Sequence, residues 1–168
     1  MAITKQKKEE IITSTTAALK DAASVALVSF SKITVAEVNE LRAALKAEGV
    51  KYTVVKKTLL KRSLEAAGVT GDMPEMPGEV AMAVLPTGEA PDLTAPARGL
   101  NAFVKKFKDK LIFVGGVING AFISQKETMS VAAIPPTPIL RGMFVNIINS
   151  PIQRFAIAMS EVAKIKTN

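Results

Sequence analysis

Hydrophobic residues recur along this chain with two different spacings. Segments with helical spacing alternate with short, continuous apolar runs rich in β-branched residues, which are typical of buried strands. The predicted helices cover about 5–22, 35–48, 59–67 and 89–109, with a short one after Ser124, and the predicted strands cover 24–30, 50–55, 80–85, 110–117 and 121–123. This alternation predicts the α+β class: a globular N-terminal domain of alternating helices and strands on one mixed sheet.

Local signals mark where several of these helices begin and end. Thr34 with Glu37, and Ser124 with Glu127, have the spacing of a capping box, in which a hydroxyl and a carboxylate satisfy backbone N–H groups at a helix start. A glycine follows the second and the third predicted helix, as is common at helix ends. The element boundaries therefore rest on chemistry as well as on periodicity.

The pattern changes after residue 134, where the sequence PPTP predicts a stiff hinge over 135–138. We expect the domain to cover 1–134 and an amphipathic C-terminal helix to cover 139–166, restarting or kinked near Ser150-Pro151. Apolar residues recur there in two sets, which together with Ile148 and Ala163 we interpret as one continuing stripe. The first set is Ile139, Leu140, Met143, Phe144 and Ile147; the second set is Ile152, Phe155, Ala156, Met159 and Val162.

Several interpretations of this helix are open at this point. It folds back onto the domain, as most amphipathic terminal helices do, or it projects and covers its apolar residues with a partner. The stiff hinge and the helix length favour projection. Residues 138–168 carry four basic residues and one acidic residue, which suits an acidic partner better than an anionic membrane surface. A homo-oligomeric coiled helix is a further alternative.

Composition excludes much of enzyme chemistry. The 168 residues contain no Cys and no His, which excludes histidine bases, cysteine nucleophiles and thiolate or imidazole metal sites. Gly115 and Gly120 have the outer spacing of a phosphate-binding loop, but Ala121-Phe122 stands where that loop has Lys and Ser or Thr. We interpret this stretch as a glycine-rich turn and expect no catalytic residue, metal or cofactor. A small phosphate-using α/β enzyme with an oligomerisation helix is the alternative from another class.

Positive charge is unevenly distributed along the chain. The net charge is +7, and residues 1–70 hold 12 basic and 7 acidic residues while residues 71–137 hold 6 and 7. Lys56-Lys57 lies between a predicted strand and a helix start, where backbone N–H groups and the helix dipole favour a phosphate. Lys61-Arg62 follows one turn later. This arrangement predicts binding of a polyanion.

The kind of polyanion recognition can be narrowed from the aromatic residues. In the basic N-terminal region, from Met1 to Thr70, the aromatic residues are Phe30 and Tyr52, which disfavours stacking of bases on an aromatic platform. Recognition of the backbone and shape of a folded RNA is favoured instead.

The N-terminus lacks the apolar segment of a secretory signal, and the longest uncharged stretch is shorter than a bilayer span, so we expect a cytoplasmic protein without membrane contact.

The order of these segments resembles the family of bacterial large-subunit ribosomal stalk-base proteins (large-subunit ribosomal protein ten). The resemblance covers nearly the whole chain and begins in a Lys-rich first helix. It continues through SVALVSF, ITVAEVNELRAALKAEG, YTVVKKTLLKRSLE, PGEVAMAV and SVAAIPP, in that order. Three positions depart from the family pattern: Lys57 stands where Asn is usual, Lys32 where Gly is usual, and Glu79-Val80 where Pro-Thr is usual.

The resemblance implies a non-enzymatic constituent of the large ribosomal subunit that binds large-subunit ribosomal RNA at the base of the lateral stalk. By matching position, the candidate RNA contacts are Lys5, Lys8, Lys32, Arg42, Lys56, Lys57, Lys61 and Arg62.

The C-terminal helix would anchor dimers of the acidic stalk protein, which recruit translational GTPases. A neighbouring stalk-base protein of the large subunit is a further expected partner. The two apolar sets are then the dimer contacts, and two helical segments of about three turns each predict two dimers. A ribosome-assembly paralogue, which binds the same RNA without stalk dimers, is the alternative within the family.

Overall fold

The computed structural model describes residues 5–70, 78–87, 92–107 and 110–167. The chain divides into two compact units, Met1–Ile134 and Pro135–Asn168. In the first unit the elements are α1 (Lys5–Lys20), β1 (Ala22–Phe30), α2 (Val35–Ala47), β2 (Lys51–Val55), α3 (Lys57–Ala67), β3 (Glu79–Pro86), α4 (Ala95–Lys106), β4 (Leu111–Ile118), β5 (Ala121–Ile123) and α5 (Gln125–Ala132). The second unit contains α6 (Thr137–Thr167).

The five strands form one sheet in the order β2-β3-β1-β4-β5. Each of these four strand pairings is antiparallel, and a parallel bridge joins Thr70 to Ala121. The α+β class is thus confirmed, while the sheet itself is antiparallel where a mixed one was expected. Strand direction depends on how distant segments pair, which local periodicity does not encode.

Helices cover both faces of the sheet, which explains why the central strands are apolar on both sides. On one face α1 and α3 pack over a core that includes Leu27, Leu60 and Leu64. On the other face α2, α4 and α5 enclose a core that includes Leu45 and Phe113. Consequently β1, at the centre of the sheet, is buried continuously from Ser24 to Ser29 rather than on alternate residues.

Both predicted capping boxes are present. The Thr34 hydroxyl accepts a hydrogen bond from the Glu37 backbone N–H, and the Glu37 carboxylate accepts one from the Thr34 N–H at 2.7 Å. The same reciprocal pair joins Ser124 and Glu127 at the start of α5. Gly68 follows α3 with a φ of 77°, a left-handed conformation that favours glycine.

The glycine-rich stretch is a hairpin, as the sequence predicts. Asn119 and Gly120 connect β4 to β5, and both have positive φ angles, 53° and 78°. Gly115 lies within β4, where a side chain would collide with the Phe122 ring, 2.5 Å from its would-be Cβ. This close packing explains why a glycine is needed at position 115, so its presence does not require a phosphate-binding role.

Helix α6 begins at Thr137, so Pro138 lies in its first turn rather than in the predicted hinge. The helix continues through Pro151 without a restart, and the alternative expectation, a kink near Ser150-Pro151, stays a prediction. Because Pro151 has no N–H, the Ile147 carbonyl loses its helical partner four residues on. The Ser150 hydroxyl donates a hydrogen bond to that carbonyl at 3.0 Å instead, so the carbonyl keeps a hydrogen-bond donor within the helix.

Candidate nucleic-acid interface

The strands place several of the predicted RNA contacts at one end of the sheet. Phe30 at the end of β1 pairs with Glu79 of β3, and Val55 at the end of β2 pairs with the next residue, Val80. Strands β1 and β2 therefore end at the same edge of the sheet, on either side of β3 and roughly 10 Å apart. Lys32 follows β1 and Lys56 follows β2, and both side chains are exposed.

The backbone at Lys32 is unusual for a lysine. Its φ is 52°, in the left-handed region that glycine occupies without strain. This conformation explains physically why glycine is usual at the matching family position. The chain therefore keeps a positive charge at this end of the sheet in a conformation that a side chain rarely adopts, which is typical of a functional position.

The start of α3 adds the partial positive charge of a helix terminus. Lys56 is the N-cap, and within the described part of the chain no side chain caps this helix and no acidic residue lies in its first turn. By contrast, Glu37 lies in the first turn of α2, which also begins at this end of the sheet. Of these two helix starts, that of α3 retains its attraction for an external anion.

Helices α1 and α3 lie against each other in the same direction. Their C-terminal residues Leu19 and Ala67 line one cavity, so the N-terminal half of α1 and the start of α3 share the opposite end. Lys8 of α1 and Lys57, Lys61 and Arg62 of α3 are exposed. Together with Lys32 and Lys56 they form the basic end of the domain; the side chain of Lys5 lies outside the described residues.

Arg42 belongs to a different part of the surface. It lies on α2, on the opposite face of the sheet, beside Tyr52 of the edge strand β2. Burial raises the pKa of Tyr52, and the nearby positive charge of Arg42 counteracts this in part. The structure thus brings together six of the predicted contacts, whereas Arg42 lies on the opposite face of the sheet.

Lys51 is a further exposed cation, on the edge strand β2. It is the first residue of β2, an edge strand whose outer side pairs with no other strand of the described residues. Lysine on an edge strand also protects the edge against pairing with other chains, so the position has a structural reason as well. Lys51 lies opposite Val84 of β3, at the end of β2 away from Lys56, so it does not belong to the basic end of the domain.

Three other basic residues of the domain are held in ion pairs. Lys110 pairs with Glu37 at 2.9 Å, Lys106 pairs with Glu40, and Arg98 pairs with Asp92 at 2.7 Å. Over the described ranges, no ion pair involves any of the predicted RNA contacts. Their charge is therefore not compensated within the domain and is available to an anion.

The ion pair between Glu37 and Lys110 is firmly held. The Thr34 backbone N–H, the Lys110 ammonium and the Thr34 hydroxyl all hydrogen-bond its carboxylate, and together they lower its pKa from 4.5 to about 2. The carboxylate therefore stays charged across the neutral range and keeps Lys110 engaged.

Helix α6, taken by itself, exposes an unusual amount of apolar surface. Its large apolar side chains range from 47% exposed at Leu140 to 70% exposed at Ile152, and Phe144 and Phe155 are 65% and 69% exposed. A soluble helix rarely leaves so many large side chains in water, which indicates a partner. Within the described residues no single helix meets the length and hydropathy needed to cross a membrane, although α5 and α6 taken as a bent pair meet them together.

A basic α+β domain followed by a long helix with exposed apolar residues is suited to a scaffold protein that binds an anion and an apolar partner. The chain matches the family model for ribosomal protein L10 over residues 3–106. It is 37% identical over 163 residues to the large ribosomal subunit protein uL10 of Lactobacillus johnsonii, covering 95% of each chain. It is 34% identical over 161 residues to the protein of the same name from Shouchella clausii, covering 96% of this chain and 94% of the relative.

The chain therefore belongs to the ribosomal protein L10 family. It is a structural, non-enzymatic constituent of the large ribosomal subunit, and in bacteria ribosomes are cytoplasmic. The recognition drawn from the ordered sequence segments is confirmed.

Proposed function

We propose that the basic end of the domain binds large-subunit ribosomal RNA at the base of the lateral stalk, and that α6 anchors dimers of the acidic stalk protein. The single observation that carries the second half is the exposed apolar surface of α6. Through these dimers the chain recruits translational GTPases, next to a neighbouring stalk-base protein of the large subunit. The assembly-paralogue alternative is disfavoured because such a protein has no need of this surface.

The RNA half is supported by charge and backbone chemistry together. Six exposed cations without an internal ion pair, among the described residues, surround the start of a helix that no carboxylate caps. Such a site binds phosphate groups by position and charge without reading bases. The sparse aromatic residues of this region fit the same mode of recognition.

The stalk half is supported by the energetics of burial. Covering one large apolar side chain contributes about 1.5–3 kcal/mol, so the five large side chains of the first set and the four of the second offset much of the cost of association for each dimer. Residues 138–168 carry four basic residues against one acidic residue, which complements an acidic partner. Two apolar sets on one helix support two dimers.

The test is to titrate the purified full-length chain with the acidic stalk protein and to count subunits by native mass spectrometry. Phe155→Asp places a charge in the second apolar set and should reduce two bound dimers to one, while affinity for the ribosomal RNA fragment stays unchanged. Ser160→Asp introduces the same charge on an exposed polar position of α6 and should leave both dimers bound. Two dimers retained by Phe155→Asp would refute the assignment of that set.

A further inference from the structure

Helix α1 is held to the domain by few large side chains. Leu19, near its C-terminal end, is the one large apolar residue that is buried within the described part of α1, and Ile11 and Ile12 are only partly buried. By contrast, the neighbouring helix α3 buries Leu60 and Leu64 completely. Because most of the stability of a short helix comes from packing of its apolar face, α1 depends more than α3 on its own helix propensity.

The middle of α1 has a low helix propensity. Residues 13–16 read TSTT, and Thr and Ser form helices less well than Ala because they restrict or compete with the helical backbone. The Thr13 and Ser14 hydroxyls donate hydrogen bonds to carbonyls of the preceding turn, which slightly destabilises a helix. The Thr16 hydroxyl is buried and has no hydrogen-bond partner among the described residues, which adds a desolvation cost. The helical state of this segment is therefore only weakly favoured.

The charges at the start of α1 oppose the helix dipole. Three of the first four residues are lysines, and no acidic residue lies in this turn, which the structure describes. Positive charge at a helix N-terminus is unfavourable because it faces the positive end of the dipole. Glu9 and Glu10 follow in the second turn, where the effect of the dipole has largely decayed. A phosphate bound at this end reverses the unfavourable interaction.

The helical conformation of α1 also determines where Lys8 lies. Residues seven and eleven positions apart share one side of a helix, so Lys8 lies within about 20° of the direction of Thr15 and Leu19. Thr15 and Leu19 are buried against the domain, whereas Lys8, about two turns before Thr15, is exposed. The side of α1 that faces the domain thus carries Lys8 to the basic end. An opened first half of α1 loses this placement of the charge.

We infer that RNA binding completes α1: the first half of the helix opens locally in the free domain, and RNA selects the closed helix. RNA favours the helical state for two reasons, since that state places Lys8 at the basic end and since phosphate compensates the positive helix start. The first half of α1 is thus firmly folded only in the RNA-bound chain. This inference rests on the proposed function, because RNA is the same ligand.

Hydrogen exchange, measured by mass spectrometry on the full-length chain with and without a stalk-base RNA fragment, tests this coupling. In the free chain, the amides of residues 9–16 should exchange at least about tenfold faster than the equivalent amides of residues 39–46 in α2, which begins with a capping box. RNA should slow exchange throughout 9–16. Thr16 lies about 12 Å along the axis from Lys8, so slowed exchange there reports ordering of the helix. Slowing confined to the residues beside Lys8 would report direct cover by RNA and would overturn the inference.

Two exposed substitutions provide a matched variant that changes helix propensity alone. Thr13→Ala with Ser14→Ala should slow exchange of residues 9–16 in the free chain by roughly 3–10-fold. Asn39→Ala with Ser130→Ala makes the same kind of change at exposed positions of α2 and α5, and should leave exchange in α1 unchanged.

Two results would overturn the inference alone. One is exchange of residues 9–16 in the free chain as slow as that of α2, and the other is RNA binding that leaves this exchange unchanged. A wild-type chain that binds no RNA would instead refute the proposed function, and the inference with it.

Discussion

The basic end of the domain makes a quantitative prediction about salt. Changing both Lys56 and Lys57 to Ala removes two cations at the start of α3, where the N-cap and the first turn are open to an anion. Each phosphate contact contributes about 0.7–0.9 to the slope of log affinity against log salt concentration, because bound cations release counterions from the RNA. The double variant should therefore have a slope smaller by about 1.4–1.8.

This difference translates into a measurable change of affinity. From about 50 to about 200 mM salt, the advantage of the wild-type chain over the variant should shrink by roughly 7–12-fold. The assay is fluorescence anisotropy with a labelled stalk-base RNA fragment at several salt concentrations. The control variant Lys105→Ala with Lys126→Ala removes the same charge from α4 and α5, where both lysines are exposed. An unchanged slope in the first variant, or an equal loss in the control, would refute the assignment.

Three further predictions concern single positions. Lys32→Gly should relieve the positive φ of 52° and leave the domain at least as stable in urea unfolding, while RNA affinity falls. Leu60→Ala, at a fully buried position, should lower the free energy of unfolding by about 2–5 kcal/mol, whereas Leu140→Ala on exposed α6 should change it by less than about 0.5 kcal/mol. Glu37 has a pKa lowered from 4.5 to about 2, so its contribution to stability is complete above pH 4.5 and is lost as the pH falls towards 2; in Glu37→Gln that acid-dependent loss should be smaller.

Each of these has a result that contradicts it. Unchanged RNA affinity in Lys32→Gly would remove that lysine from the interface. Equal destabilisation by the two leucine variants would mean that the core is not where the structure has it. An acid transition of Glu37→Gln identical to that of the wild type would show that the Thr34 capping box and Lys110 do not hold this carboxylate.

Features that depend on neighbouring residues could be predicted from the sequence. The Thr34 and Ser124 capping boxes, the turn at Asn119-Gly120 and the end of α3 at Gly68 all lie where the local pattern indicates. Their stabilising contacts span a few residues, so the sequence alone specifies them.

Features that depend on contacts between distant residues could not be predicted from the sequence. The antiparallel sheet and its order follow from pairings such as Phe30 with Glu79, which no local pattern encodes. Arg42 could not be separated from the other cations until α2 and α3 were known to lie on opposite faces of the sheet. The continuity of α6 through Pro151 depends on the rotamer of Ser150, which lets a hydroxyl replace a backbone donor.

The central claim is that α6 carries acidic stalk dimers, and native mass spectrometry of the tagged full-length chain tests it most directly. The chain is recovered from its own cell lysate after nuclease treatment, beside a variant with both Phe144→Asp and Phe155→Asp. The account predicts four copies of one small acidic subunit, identified by mass and sequence, with the wild-type chain and none with the variant. A bare monomer in both samples would contradict it.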